Sequence, residues 1–245
     1  MNPLECSCFN EIAPTSVWTC LQLENSHMPP SAPPSLKPRR LPRQARALAT
    51  VDSIFEATLQ VLISDGPRRL TTTRVAARAG VSVGSMYQYF PHKQALFYAL
   101  NERYLVSLSG RIEATCAAQH GAATGQMIEA LVATYWLAKT ERPEVTRALY
   151  RSVAELDNEP LIAAFAMRAD AATAKMLASA SDARFADLPT VILTLLSTIF
   201  GTVRSVFERG LSAGQGEAVR AQLVVMCVAY LQTAKSLDAN QRAAD

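Results

Sequence analysis

Between Thr71 and Lys93, in the run TTTRVAARAGVSVGSMYQYFPHK, hydroxyls, phenols, a carboxamide and cations are crowded together. The chemistry open to such a group is the meeting of phosphate oxygens and base edges. Thr72, Thr73, Tyr87, Tyr89 and Lys93 suit phosphates. Val83, Gly84, Ser85 and Gln88 suit base edges. Valine meets a thymine methyl, serine donates or accepts, and glutamine pairs bidentate with adenine. Arg74 suits either target, and Ser82 stands at the head of the same group.

To act together these side chains must share one side of one element. Thr71 caps a helix by accepting an orphan N–H on its hydroxyl. Val75, Ala76 and Ala79 follow at helical spacing and make one apolar face. Gly80 supplies the left-handed residue that stops this helix and turns the chain. Ser82 then caps a second helix, with Met86 and Phe90 facing inward. Helix, glycine turn, helix is the helix-turn-helix pattern, whose second helix enters a major groove by its N-terminal residues. The small residues Gly84 and Ser85 permit close approach there. Pattern alone fits an ordinary helical hairpin equally well, and charge separates the two. From Lys37 to Lys93 ten Lys or Arg stand against three acids, a local charge of +7 in a chain of net +3. Residues 94–245 carry −1 and residues 1–36 carry −3. The positive field lies where phosphates would lie.

The remaining composition excludes more than it adds. Of 245 residues 49% are hydrophobic and 7% aromatic, with little strand-like alternation, which predicts an all-α fold. The cysteines (Cys6, Cys8, Cys20, Cys116 and Cys227) are odd in number and scattered, a poor disulfide framework. Cys6 and Cys8 lack a second pair, and His27, His92 and His120 lack ligand-like spacing, so no metal is expected. No phosphate-cradling glycine loop, C-x-x-C or G-x-S-x-G is present. No catalytic residue, enzyme activity or cofactor is expected. No stretch approaches the roughly 20 apolar residues of a membrane span. Glu5 and Glu11 are unlike the basic start of a secretory signal, and the expected location is cytoplasmic.

Taken in order, residues 1–36 lack periodicity, end in the proline-rich PPSAPPSLKP and are expected to be disordered. KPRRLPRQAR is a basic arm that lies along DNA or serves as a solvated linker. Helix one is predicted from Gln44 to Ser64, with Val51, Ile54, Phe55, Thr58, Leu59, Leu62 and Ile63 as one stripe, stopped by Asp65-Gly66-Pro67. It packs with the two short helices as a three-helix bundle. A fourth helix begins near Pro91 or His92 and continues through Leu108, with Lys93 in its phosphate-favouring first turn.

TTTRVAARAGVSVGSMYQYFPHKQAL resembles the DNA-binding segment of the tetracycline-repressor-type (TetR/AcrR) family of bacterial transcriptional regulators. The likeness runs through about residues 44–100 and departs at His92, where a Ser, Asn or Thr cap is more usual. Beyond residue 110 it is positional only. It implies a homodimer that reads a palindromic double-stranded DNA operator. It also implies a larger helical domain that binds a small-molecule effector and shifts the spacing of the two readers. The resulting expectation is a ligand-responsive repressor, and the candidate phosphate positions match those the family uses. The expected division is 1–36 disordered tail, 37–93 basic arm and helix-turn-helix domain, 94–237 regulatory and dimerisation domain, and 238–245 disordered tail.

The C-terminal half gives five more helices: Gln126–Thr140, Glu144–Leu156, Glu159–Ser181, Pro189–Leu211 and Glu217–Leu237. In the fourth of these, Val191, Leu195, Ile199 and Val203 form a stripe that Ile192, Leu196, Phe200 and Phe207 broaden. Such a helix reads as apolar all round and buried on more than one side, either as a deep core helix of a monomer or against a twofold mate. The family resemblance implies the second, with the last two helices as the homodimer interface. Tyr135, Trp136, Tyr150, Phe165, Met167, Phe200 and Arg204 are candidate effector-pocket residues. Arg204, a charge on a greasy helix, holds an anionic ligand or pairs with an acid across the dimer. Two other readings stay open. One is a helical-bundle enzyme or carrier with an incidental hairpin, which requires a metal or acid–base cluster. The other is a sequence-nonspecific architectural DNA binder, against which the small, varied groove-facing residues argue.

Overall fold

The computed structural model describes residues 45–153 and 158–235, among which the regular structure is helical. The two expected disordered tails and the basic arm up to residue 44 lie outside the described residues. Helix α1 (Ala45–Asp65) is followed by α2 (Thr72–Ala79), α3 (Val83–Tyr89) and α4 (Lys93–Ala118). Then come α5 (Thr124–Thr140), α6 (Pro143–Val153), α7 (Glu159–Ala178), α8 (Leu188–Glu208) and α9 (Ala213–Ala234). Beyond these helices, the described residues include an isolated antiparallel bridge, Phe185 to Lys235.

Two cores organise the packing. The first gathers Ile54, Phe55, Leu59 and Leu62 of α1 with Val75, Met86, Phe90, Leu96, Phe97 and Leu100. Ile63, expected on the same stripe, is 38% exposed, because it stands one residue beyond Leu62 and turns off the edge. Val145, Ala148 and Leu149 of α6 also enter this core, so the bundle is larger than the three helices expected. The second core joins Leu108, Ile112 and Cys116 of α4 with the apolar faces of α5, α7, α8 and α9. Helix α4 has 26 residues, about 39 Å at the usual rise, and so contributes to both cores. Tyr104 packs against both.

Several ends differ from the pattern for identifiable reasons. Helix α5 begins two residues before the expected Gln126, although Ala123 offers no side-chain cap. Its cap comes from elsewhere: the Asp182 carboxylate accepts from the Thr124 N–H at 2.8 Å and the Thr124 hydroxyl at 3.0 Å. Burial opposes this charge, but those bonds and Lys235 at 3.2 Å outweigh it and hold the Asp182 carboxyl below its ordinary value. Helix α8 ends three residues short of Leu211, where Gly210 turns left-handed at φ 63°. Helix α9 starts at Ala213, four residues before the expected Glu217. A capping box between Ser212 and Gln215 starts it. Gly216 is buried inside it, where a Cβ would lie 3.3 Å from Trp136 Cη2 and 3.5 Å from Val206 Cγ1.

Helix α8 is not apolar all round. Its two stripes are adjacent and enter one core together through Val191, Ile192, Leu195, Leu196, Ile199 and Val203. The opposite face carries Leu193, Thr194, Ser197, Gly201 and Arg204 in the open. The expectation that no stretch has the length of a membrane span is also corrected. Arg46–Asp65 and Leu188–Glu208 are both long and apolar enough by composition. The apolar face of each lines one of the two cores, which accounts for that composition.

Candidate nucleic-acid interface

Local sequence rules build the reader almost unaided. The Thr71 hydroxyl accepts from the Arg74 N–H at 3.2 Å and starts α2. Gly80 ends it at φ 68°, donating to the Ala77 carbonyl while the Val81 N–H reaches the Ala76 carbonyl at 3.0 Å. This paired closure needs a left-handed residue, hence glycine. The Ser82 hydroxyl accepts from the Ser85 N–H at 3.0 Å and starts α3. Met86 and Phe90 are buried, and the Phe90 ring lies 5.6 Å from that of Phe55, which fixes the roll of α3. That roll leaves Val83, Gly84, Tyr87 and Gln88 exposed on one face. A Cβ on Gly84 would meet only Ser82 Oγ at 3.8 Å, so nothing within the chain demands glycine there.

The other candidates are placed less uniformly. Thr72 is 8% exposed, and its hydroxyl donates to the Tyr87 phenol at 3.2 Å, steadying that ring. Thr73 is exposed beside it. Ser85 has its hydroxyl 2.8 Å from that of Ser82 and is half-buried. Tyr89 lies with its ring 6.5 Å from Phe90. Arg74 turns away from α3, pairing with Asp65 at 2.9 Å and donating to the Arg69 carbonyl at 3.2 Å. Lys93 is the first residue of α4. His92 caps that helix by accepting the Ala95 N–H on Nδ1 at 3.1 Å, so the imidazole fills the role of the usual hydroxyl or amide. Asp52 pairs with Arg103, Glu56 with Arg142 and Asp65 with Arg74. Each of the three acids of the segment is thus paired with an arginine, and α3 itself carries no acid.

The effector-pocket candidates divide. The Tyr135 ring lies 4.5 Å from Phe200, which lies 5.3 Å from Phe165. The Arg204 guanidinium sits 5.5 Å over the Tyr150 ring and pairs with Glu208 of its own helix at 2.7 Å. Trp136 instead packs on Gly216 at the α5–α9 contact, and Met167 is 65% exposed on α7. Lys139 escaped sequence reasoning altogether. It is buried, with its ammonium 4.6 Å from the Tyr104 ring, 5.1 Å from Tyr150 and 5.4 Å from Tyr135. Burial, then the charge of Arg204, lowers its pKa to about 7. Burial also holds the Tyr135 and Tyr150 phenols above their ordinary value. The signal was present, since Ile128, Leu131, Val132, Tyr135 and Lys139 share one helical stripe.

A short glycine-turned helix pair mounted on a larger helical body defines a helix-turn-helix protein with an appended helical domain. The family model described as bacterial regulatory proteins, tetR family, matches residues 54–100, and that of the tetracyclin repressor-like C-terminal domain matches residues 125–231. The chain belongs to the tetR family of bacterial regulatory proteins. It is similar to the nucleoid occlusion factor SlmA of Actinobacillus pleuropneumoniae, at 37% identity over 99 residues covering 38% of this chain and 48% of that protein. The chain thus matches about half the length of such curated relatives. Among solved structures it resembles a TetR-family transcriptional regulator from Streptomyces coelicolor (TM-score 0.55, 23% identity, covering 76% of this chain and 99% of the other). It also resembles the SmeT–triclosan complex (TM-score 0.60, 20% identity, covering 78% and 93%). These likenesses are of fold.

Proposed function

We propose that this chain is a cytoplasmic, ligand-responsive DNA-binding transcriptional regulator. It represses by binding a palindromic operator as a homodimer and is released by a small molecule. The observation that carries the reading is Gly84. It is an exposed glycine near the head of α3, where the fold itself has room for a methyl group. Glycine in a helix lowers stability, and close approach to a groove supplies a reason for one at this place. Val83, Gln88 and Tyr87 share that exposed face, where they take the base-edge and phosphate roles. The division into a reader at 37–93 and a regulatory domain at 94–237 follows from this assignment. The partner surface is the outer face of α8 and α9, where Leu193, Val225 and Met226 are open to solvent and Ser197 and Gly201 permit close packing.

The test is fluorescence anisotropy of the full chain on duplexes tiling the region upstream of its own gene, with scrambled duplexes as competitors. The expected result is one site bound at least ~10³-fold more tightly than scrambled DNA. Equal binding to all duplexes would reassign the chain to architectural DNA binding, and no binding at low salt would overturn the reading.

A further inference from the structure

We propose that Lys139, enclosed by Tyr104, Tyr135 and Tyr150 with Arg204 at the rim, anchors the carboxylate of an organic acid with an apolar body. This names the effector class of the regulator reading above and rests on it for the word effector.

The argument begins with an incomplete set of partners. An ammonium carries three N–H donors and accepts nothing. Among the described residues that of Lys139 meets three ring faces and no carboxylate. Ring faces attract a cation but offer no oxygen to its N–H groups. A buried charge ordinarily has an ion partner or hydrogen bonds, because desolvation otherwise outweighs what it gains. Here the nearest added charge, Arg204, has the same sign and works against it. Arg204 in turn has its own acid, the exposed Glu208. The Tyr104 hydroxyl is buried with no hydrogen bond of good geometry, and the neighbouring Thr146 hydroxyl already donates to the Lys139 carbonyl. A buried ammonium and a spare phenol therefore converge with no acid bonded to either, and with Arg204 at the rim they make the donor set of an oxyanion site. The Tyr135, Phe200 and Phe165 rings continue from it as apolar surface for the remainder of an acid.

The groups facing Lys139 come from four helices: Tyr104 of α4, Tyr135 of α5, Tyr150 of α6 and Arg204 of α8. Arg111 and Glu141, themselves paired at 2.9 Å, lie close enough to act on Tyr104. The phenols are all pushed above their ordinary values by burial and stay neutral donors. Lys139 alone in this set changes its proton near neutral pH. A bound carboxylate restores its charge, so binding takes up protons above pH 7.

The experiment is calorimetry on the full chain at pH 8 with sodium benzoate and sodium octanoate, and with benzamide and octanamide as neutral isosteres. Each is run in two buffers of different ionisation enthalpy. At least one acid is expected to bind one per chain, tenfold or more above its amide, with uptake of up to one proton. Lys139→Met, shown folded by circular dichroism, is expected to lose at least tenfold in acid affinity and all proton uptake. Tyr104→Phe loses severalfold. Acids and amides binding alike, a Lys139→Met protein that binds the acids unchanged, or no binding of any of the four, overturns the proposal. If Lys139→Met fails to fold, Tyr104→Phe and the wild-type proton uptake decide it. Duplex binding is measured on the same preparation. Intact duplex binding without acid binding removes this proposal alone, whereas acid binding without duplex binding removes the regulator reading and leaves the site.

Discussion

Gly84→Ala separates what the fold needs from what the interface needs. The added methyl would stand 3.8 Å from Ser82 Oγ, an ordinary contact, with no other neighbour within 4 Å. The backbone there is regular helix, so alanine is not strained. Alanine also forfeits less backbone entropy than glycine on folding. Near the head of a helix the gain lies at the low end of the usual range, about 0.5 kcal/mol. In a chain of this size that raises the melting temperature by about 1–2 °C. On DNA the same methyl stands between α3 and the groove, where small-to-large changes at a close-packed surface cost roughly 1–3 kcal/mol. Operator affinity should therefore fall by about fivefold or more while stability rises. Thermal unfolding and anisotropy on one preparation read both numbers. A variant that melts lower, or binds its operator unchanged, refutes the argument that Gly84 is there for an outside surface.

Thr72→Val removes the bond that steadies the Tyr87 phenol. It should cost about 1 kcal/mol of stability and weaken binding to operator and scrambled duplexes alike, as read by urea unfolding and anisotropy. Lys93→Ala should also act uniformly and reduce the slope of log affinity against log salt by about one; an unchanged slope removes Lys93 from the phosphate contacts. For Lys139→Met the effect is on stability against pH. The folded pKa of about 7 lies below the unfolded value near 10.5, so the unfolded chain holds more protons between them. The penalty of the charged lysine is thus complete below pH 7 and fades as pH rises toward 10. Its ceiling is roughly 5 kcal/mol. The variant should therefore be more stable than wild type at pH 6.5, by at most roughly 5 kcal/mol, and lose most of that advantage by pH 9.5. Urea midpoints that differ equally at both pH values would show that Lys139 is not buried as a charge.

The reader was legible because its causes are local. Thr71, Gly80 and Ser82 each act within four residues, and the structure uses all three as the sequence suggests. Even His92, the one departure from the family pattern, caps its own helix by the same geometry. The regulatory half was less legible because its decisive partners are distant in sequence. Asp182 caps α5 from 58 residues away, and Trp136 is what crowds the Gly216 position. A helical stripe by itself also hides which core its face enters: Val145, Ala148 and Leu149 of α6 pack with the reader. Arg204 read as a charge forced into an apolar helix, yet its face is open and its acid is one turn away. Lys139 was passed over in the sequence. Its stripe pointed inward, but a lysine there is discounted when burial is judged from residue type.

On the proposed reading, α6 sets how strongly an acid must bind. Its Tyr150 closes on Lys139, its Thr146 hydroxyl donates to the Lys139 carbonyl at 2.8 Å, and the adjacent Leu149 lies in the reader core. Ser152 accepts from Asn101 of α4 at 3.3 Å, fastening the same helix to the element that both cores share. An acid entering between Lys139 and Tyr150 must part those groups, and it favours only arrangements of α6 in which they are parted. Moving a two-state balance from nearly all closed to nearly all open takes about 5.5 kcal/mol of differential affinity. A charge-assisted contact with the ammonium supplies about 1.5–3 kcal/mol of that. The remainder, about 3 kcal/mol, corresponds to about 120 Å² of newly buried apolar surface. Acetate has too little to offer, whereas octanoate has enough. Release of operator DNA should therefore be absent with acetate and rise with chain length up to octanoate, at fixed pH and ionic strength. Release that is equal across the series would mean that the charge alone moves α6.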